Sequence, residues 1–481
     1  PPERAPPRRT SLRTSAFAAR VLVEGNTGQI QSSWPDADPV RSGGLSAKDA
    51  AMTMVINGVG VSVVLLPKIM ADCGVILGIL ICVVCAKACH ECGIMICGAC
   101  FAAETLTGRK CSSYEDMVTA VAGPMWCRVL VISKNVAMMG FVIVYAQLLI
   151  DSFATFLSEE SRKDGQVLLH LRFGLVFPIF GVLGMVTDLK QLSPFMSIGI
   201  VACFLKCWVI MAGGVWLTEE IKACPPEDLS ILGNTNCRKY SLMPTVDHHE
   251  LPELIGKNLA IILFSLAILS TVPSVRSQLE EPAQMHKVLS HSFIIIITLD
   301  LIIMILGYIG FGGTASTIPA NENAIVGLTE WFPMLALTGS MSMIVNIMVS
   351  YPLFFFCVMQ VFESSGNTVL HQPLEIPNII FRLLLVLFLL SVGASLPYVG
   401  EMIGLMSSIF ACCNNILFPV LFHMMSRGKT STVPRHPRMR MVKYVGSTVL
   451  GIVVMIFGFK GSLQKLLAKM DAARETPVTV S

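Results

Sequence analysis

A chain of 481 residues that is 53% hydrophobic and only 14% charged, where soluble domains carry about 25% charged residues, is not a soluble globular protein. Mean hydropathy of +0.68 places it among polytopic membrane proteins, with the lipid bilayer as its solvent. A net charge of +3 selects no polyanionic partner, and nothing in the sequence points to nucleic acid, a cofactor or a metal.

Residues 1–48 are rich in Pro, Arg and Ser without an apolar period, which predicts a disordered tail. The Arg and Ser content of Leu12 to Arg20 also suits an organelle transit peptide. Windows of about 19 residues, enough to cross a hydrocarbon core near 30 Å thick, then predict about eleven helical spans. They lie near 50–70, 74–100, 124–150, 169–187, 193–216, 255–275, 289–311, 331–360, 378–397, 399–425 and 441–459. The fold class is therefore all-α integral membrane, with a transmembrane domain over 49–460 and a C-terminal tail over 461–481. The larger share of Lys and Arg, including Arg4, Arg8, Arg109, Lys110, Lys287 and Arg427, falls on one side. Basic residues stay with the cytosol, so the N-terminus is expected there and the C-terminus opposite.

Two spans carry the signature of an interrupted helix. The first, Gly58-Val59-Gly60-Val61-Ser62 before Pro67, has glycines that admit close approach, and the N–H groups of Val59 to Ser62 suit a carboxylate. The same glycines also suit a packing face. The second runs from Phe264 to Pro273 through Ser265, Ala267, Ser270 and Thr271. Pro273 frees the carbonyl of Leu269, which gives a break or a plain kink. Lipid cannot satisfy freed backbone groups, so broken spans persist where they line a cavity occupied by something polar. Opposed helix ends hold a carboxylate and an ammonium together, which is the chemistry of a free amino acid.

Cysteines 82, 85, 89, 92, 97 and 100 mimic a metal-binding spacing. They fall within one apolar helix where thiolates are costly, so they read as a packing stripe. Cys224 and Cys237 sit in the long polar segment between spans five and six and are expected to form a disulfide if that segment faces an oxidising compartment. Unpaired thiols are the alternative there.

Several segments together resemble the amino acid/auxin permease family: Gly58 to Pro67 followed by Cys73-Gly74, Ser113 to Asp116, Gly140 to Tyr145, Pro273 to Pro282, Gly307 to Gly312, Ser350 to Phe355 and the helix around Arg382. Phe264-Ser265 before Pro273, and Ser350-Tyr351-Pro352-Leu353, look most like its vesicular inhibitory and proton-coupled amino acid transporter branch. The resemblance covers residues 46–459 and implies a LeuT-like five-plus-five inverted repeat with one span appended. It further implies that substrate meets Gly58, Val59, Gly60 and Val61, with Phe264, Ser265 and Ala267 opposite. Tyr145 and Asn346 would help to close the site, or simply bond helix to helix.

Buried ionisable residues in spans are candidates for ion coupling. These are Lys206, Asp300, Lys134 and the i,i+4 pair Lys87 and Glu91, the last better read as a structural ion pair. In some proton-coupled transporters of the resembled fold a span-five lysine replaces a sodium ion, and Lys206 is placed to do so. A sodium site would instead use first-span carbonyls with Ser350 and Thr53. The function expected is secondary transport of amino acids by alternating access, proton-coupled in preference to sodium-coupled, in a plasma, vacuolar or vesicular membrane. A non-transporting sensor on the same fold is the other reading. No nucleophile–base pair suggests an enzyme.

Overall fold

In lipid, a chain with long apolar runs can satisfy its backbone only within helices or a closed barrel. Every regular element among the described residues is helical. The computed structural model describes residues 46–186, 193–220, 250–311, 323–364, 375–395, 398–429 and 437–475.

The first crossing is made of α1 (Ala47–Gly58), a 3-10 turn at Val61–Leu65 and the opening of α2 (Leu66–Thr107). Ser46 caps α1 by accepting a hydrogen bond from the Asp49 amide at 3.2 Å. Within α2, Gly74 takes φ 74° and ψ 167°, a combination open to glycine and strained for any other residue. The chain reverses there, and Gly78 lies against Met70. Ten helices among the described residues are long and apolar enough to cross a membrane, and the first of them, 62–107, contains this reversal. Dividing it at Gly74 and joining its first part to α1 yields the eleven crossings expected.

A Ser113-capped helix, α3 (Tyr114–Ala122), leads into the third crossing, α4 (Pro124–Ala154). After the short α5 (Glu159–Lys163), α6 (Gly165–His170) and α7 (Phe177–Leu183) form the fourth across a π-helical turn. The fifth is α8 (Ser193–Glu220). The sixth is split into α9 (Leu251–Ser265) and α10 (Val272–Gln278), and the seventh is α11 (Met285–Phe311). The one-turn α12 (Ala324–Gly327) precedes the eighth, α13 (Pro333–Ser364), and the ninth, α14 (Ile376–Ser395). The tenth joins α15 (Val399–Met406) to α16 (Phe418–Lys429) through π-helical turns. The eleventh, α17 (Pro437–Val453) with α18 (Phe459–Glu475), runs on past residue 460, where a tail was expected to begin.

Around the centre, α11 packs on α1, α2 and α8, while α13 packs on α4 and α8. The cysteines of α2 face this interior, with Cys85, Cys89 and Cys92 fully buried. Cys224 and Cys237 lie outside the described residues.

Candidate functional site

The first broken crossing builds the centre of the site. Val59 (φ −80°, ψ 60°) and Gly60 (φ −78°, ψ −156°) leave helical torsions between α1 and the 3-10 turn. The carbonyls of Gly58, Val59 and Gly60 thereby turn to side chains from other helices. Ser265 Oγ donates to Gly58 O at 3.4 Å, Cys203 Sγ to Val59 O at 2.8 Å and Lys206 Nζ to Gly60 O at 3.0 Å. A cation belongs at this point, because the C-terminal end of α1 carries the negative pole of its dipole. Lys206 Nζ also reaches Asn346 Oδ1 at 3.5 Å, and Asn346 Nδ2 donates to Gly199 O at 3.4 Å. Beyond the break, the 3-10 turn starts with amides that have no partner inside the helix. Val59 is not one of these, since its N–H bonds Val55 O at 2.8 Å.

Gly58 is needed for a steric reason: a Cβ there would meet Ile296 Cδ1 at 2.5 Å and Ile268 Cγ2 at 3.4 Å. Ser62 is buried, and its hydroxyl has no hydrogen-bond partner. Of Val61 only the backbone is described.

The second break follows Ser265. Leu266 (φ −91°, ψ 16°) ends α9, Ala267 and Ile268 turn, and a 3-10 segment at Leu269–Thr271 leads to α10. Asn415 Nδ2, from the π-helical part of the tenth crossing, donates to Leu263 O at 3.4 Å. Thr271 Oγ1 donates to Ile268 O at 2.7 Å.

Rings cover the space beside both breaks. Phe141 lies 4.2 Å from Phe264 and stacks on Phe354 at 4.9 Å, while Tyr145 meets Phe354 edge-on at 5.3 Å. The Tyr145 hydroxyl lies near Ser350. Asp300, 1% exposed, adjoins Ser265 and the thiols of α8.

The structure thus brings together Gly58, Val59, Gly60, Ser265, Lys206, Asn346 and Asp300, with Phe264, Tyr145 and Ser350 adjoining. Ala267 is half-buried in the second turn. Thr53 instead bonds Asp49 O at 2.9 Å within α1. Lys134 pairs with Glu115 at 2.6 Å, and Glu91 takes Lys87 at 2.8 Å and Lys443 at 2.7 Å.

Sequence reasoning missed Cys203, which stands one turn before Lys206 on the same helical face. It also missed a buried ion cluster in which Glu401 Oε1 accepts from Lys257 and Lys469, each at 3.0 Å. The rule that selects Lys206, an ionisable residue inside a span, applies equally to Lys257, which lies within the span expected over 255–275. A second pair at the far end of that crossing, Arg276 with Glu104, is bidentate at 2.7 and 2.8 Å.

A family model described as "Transmembrane amino acid transporter protein" matches residues 43–464. The vesicular GABA transporter of Caenorhabditis elegans is 25% identical over 234 residues, 46% of this chain and 45% of that protein. The match therefore spans less than half of that relative's length. The crystal structure of MhsT in complex with L-phenylalanine superposes with a TM-score of 0.53 at 9% identity, covering 88% of this chain and 100% of that one. At that identity the likeness is one of fold: the LeuT-like inverted repeat of two five-span groups, each opening on a broken helix.

Proposed function

The chain belongs to the transmembrane amino acid transporter protein family, and from that premise we propose that it moves small amino acids by alternating access, coupled to protons. One observation carries the coupling: the Lys206 ammonium sits 3.0 Å from Gly60 O at the C-terminal pole of α1. A metal cation bound by first-span carbonyls would need that position, and a tethered lysine occupies it with the same charge. The amides that open the 3-10 turn suit the substrate carboxylate, and the ammonium meets the carbonyl side of the break. Phe141, Phe264, Phe354 and Tyr145 pack together beside the breaks, and in this reading they bound the space for the substrate side chain.

The similarity to a vesicular GABA transporter supports γ-aminobutyric acid as a first substrate to test and a vesicular membrane as the setting. In this reading residues 1–48 form a cytosolic tail on a transport domain spanning 49–460, with 461–481 following. The test is uptake by purified protein in liposomes across all amino acids, under imposed proton and sodium gradients. Uptake should follow the pH gradient without sodium, and Lys206→Ala should uncouple it. Sodium-dependent uptake at constant pH would overturn proton coupling, and binding without flux would favour a sensor.

A further inference from the structure

The outer face of α2 changes character along its length. Ile76, Leu80, Val83 and Lys87 recur at the spacing of one helix face, and all four are exposed, Lys87 with 65% of its side chain. An apolar stripe in contact with lipid thus runs down to a lysine.

A helix stands on each side of that stripe. On one edge His90 Nε2 lies 3.1 Å from Ser290 Oγ of α11, and its ring meets Phe293 edge-on at 5.7 Å. On the other edge Lys443 Nζ of α17 donates to Glu91 Oε2 at 2.7 Å. The stripe therefore floors a lipid-facing groove between α11 and α17. Ser290 and Lys443 lie within two turns of Met285 and Pro437, where α11 and α17 begin, so the basic end sits near the bilayer boundary.

Charge at that end does not balance. Lys87 and Lys443 share the single carboxylate of Glu91, at 2.8 and 2.7 Å, which leaves one positive charge over. Exposed Lys287, one turn before Ser290 on α11, has no ion-pair partner among the described residues. A soluble anion would answer the charge and leave the stripe bare, while a neutral lipid would cover the stripe and leave the charge. Only a molecule with an anionic head and a hydrocarbon tail meets both.

We propose that this groove binds an anionic phospholipid, its phosphate between Lys87 and Lys443 and an acyl chain along Val83 and Leu80. In the orientation expected from the Lys and Arg distribution this end faces the cytosol, the leaflet in which anionic lipids gather. The bound lipid ties α17 to α2 and α11, the two helices that pack beside the first break. The inference needs only the membrane setting; neither substrate nor coupling ion enters it.

The experiment places the purified full chain in phosphatidylcholine liposomes doped with photoactivatable phosphatidylserine or photoactivatable phosphatidylcholine, and maps the adducts by mass spectrometry. Phosphatidylserine should label 80–91, 287–294 and 441–445 at least about fivefold more than phosphatidylcholine does, and Lys87→Gln or Lys443→Gln should each cut that labelling about fivefold. Glu91→Gln breaks the same two ion pairs but removes the competing carboxylate, so it should raise the labelling. Equal labelling by the two lipids, or phosphatidylserine adducts elsewhere on the chain, overturns the proposal. So does a loss in Glu91→Gln to match the lysine variants, which would reduce the lysines to structural partners. Removal of the adducts by inorganic phosphate at matched ionic strength would mark an anion site without a lipid, and also overturns it. Should a lysine variant not fold, the wild-type adduct map and Glu91→Gln still decide.

Discussion

The two broken crossings solve the same backbone problem in opposite ways. At the first, the freed carbonyls of Gly58, Val59 and Gly60 are met by side chains from the fifth and sixth crossings. At the second, Thr271 serves Ile268 O from within the same segment, and among the described residues only Leu263 O draws on another crossing, through Asn415. The second crossing is instead secured at its ends. Lys257 of α9 joins Glu401 and Lys469, and Arg276 of α10 joins Glu104. A helix held at its middle by polar side chains suits the binding role proposed for the first break. One anchored at its ends by ion pairs is arranged to have its two halves positioned from outside the site.

That contrast breaks most visibly at Glu401. Glu401→Gln removes the fully buried carboxylate that Lys257 and Lys469 share, and removal of one member of such a cluster costs about 3–5 kcal/mol. A large fall in the melting temperature of detergent-purified protein is the expected result, and a surface-like change under about 1 kcal/mol would remove the anchoring role. A smaller effect belongs to the first break. Cys203→Ala takes the donor from Val59 O, worth about 1 kcal/mol, and should weaken uptake more than it lowers thermal stability. Smallest is Thr271→Val. Ile268 O keeps the Thr271 amide at 3.1 Å, so stability should stay within about 0.5 kcal/mol of wild type. If Thr271→Val proved as damaging to uptake as Cys203→Ala, the second break would share the binding role.

The sequence makes the breaks legible because glycine and proline act locally. Gly58, Gly60 and Pro273 disturb the helix wherever the chain goes next. Lys206, Asp300 and Asn346 are legible as polar residues in apolar surroundings, since lipid makes each of them costly. Their partners are another matter. Nothing near residue 203 says that its thiol will meet residue 59, and nothing near 257 says that 401 and 469 will come to it. The rings of Phe141 and Phe354 read as ordinary span residues until three crossings bring them together with Phe264. The π-helical turns that aim Asn415 at Leu263 leave no mark in the hydropathy pattern.

Gly74 joins the first two crossings through a single residue, with Gly78 already folded back on Met70. Such a joint has no slack. The segment beyond the first break cannot tilt without carrying the whole of 75–107 with it, a rod roughly 50 Å long at 1.5 Å per residue. Arg276 grips that rod near its far end through Glu104. Under the proposed function, a small displacement at the first break would be carried, by leverage, into a larger movement at the far end of that rod.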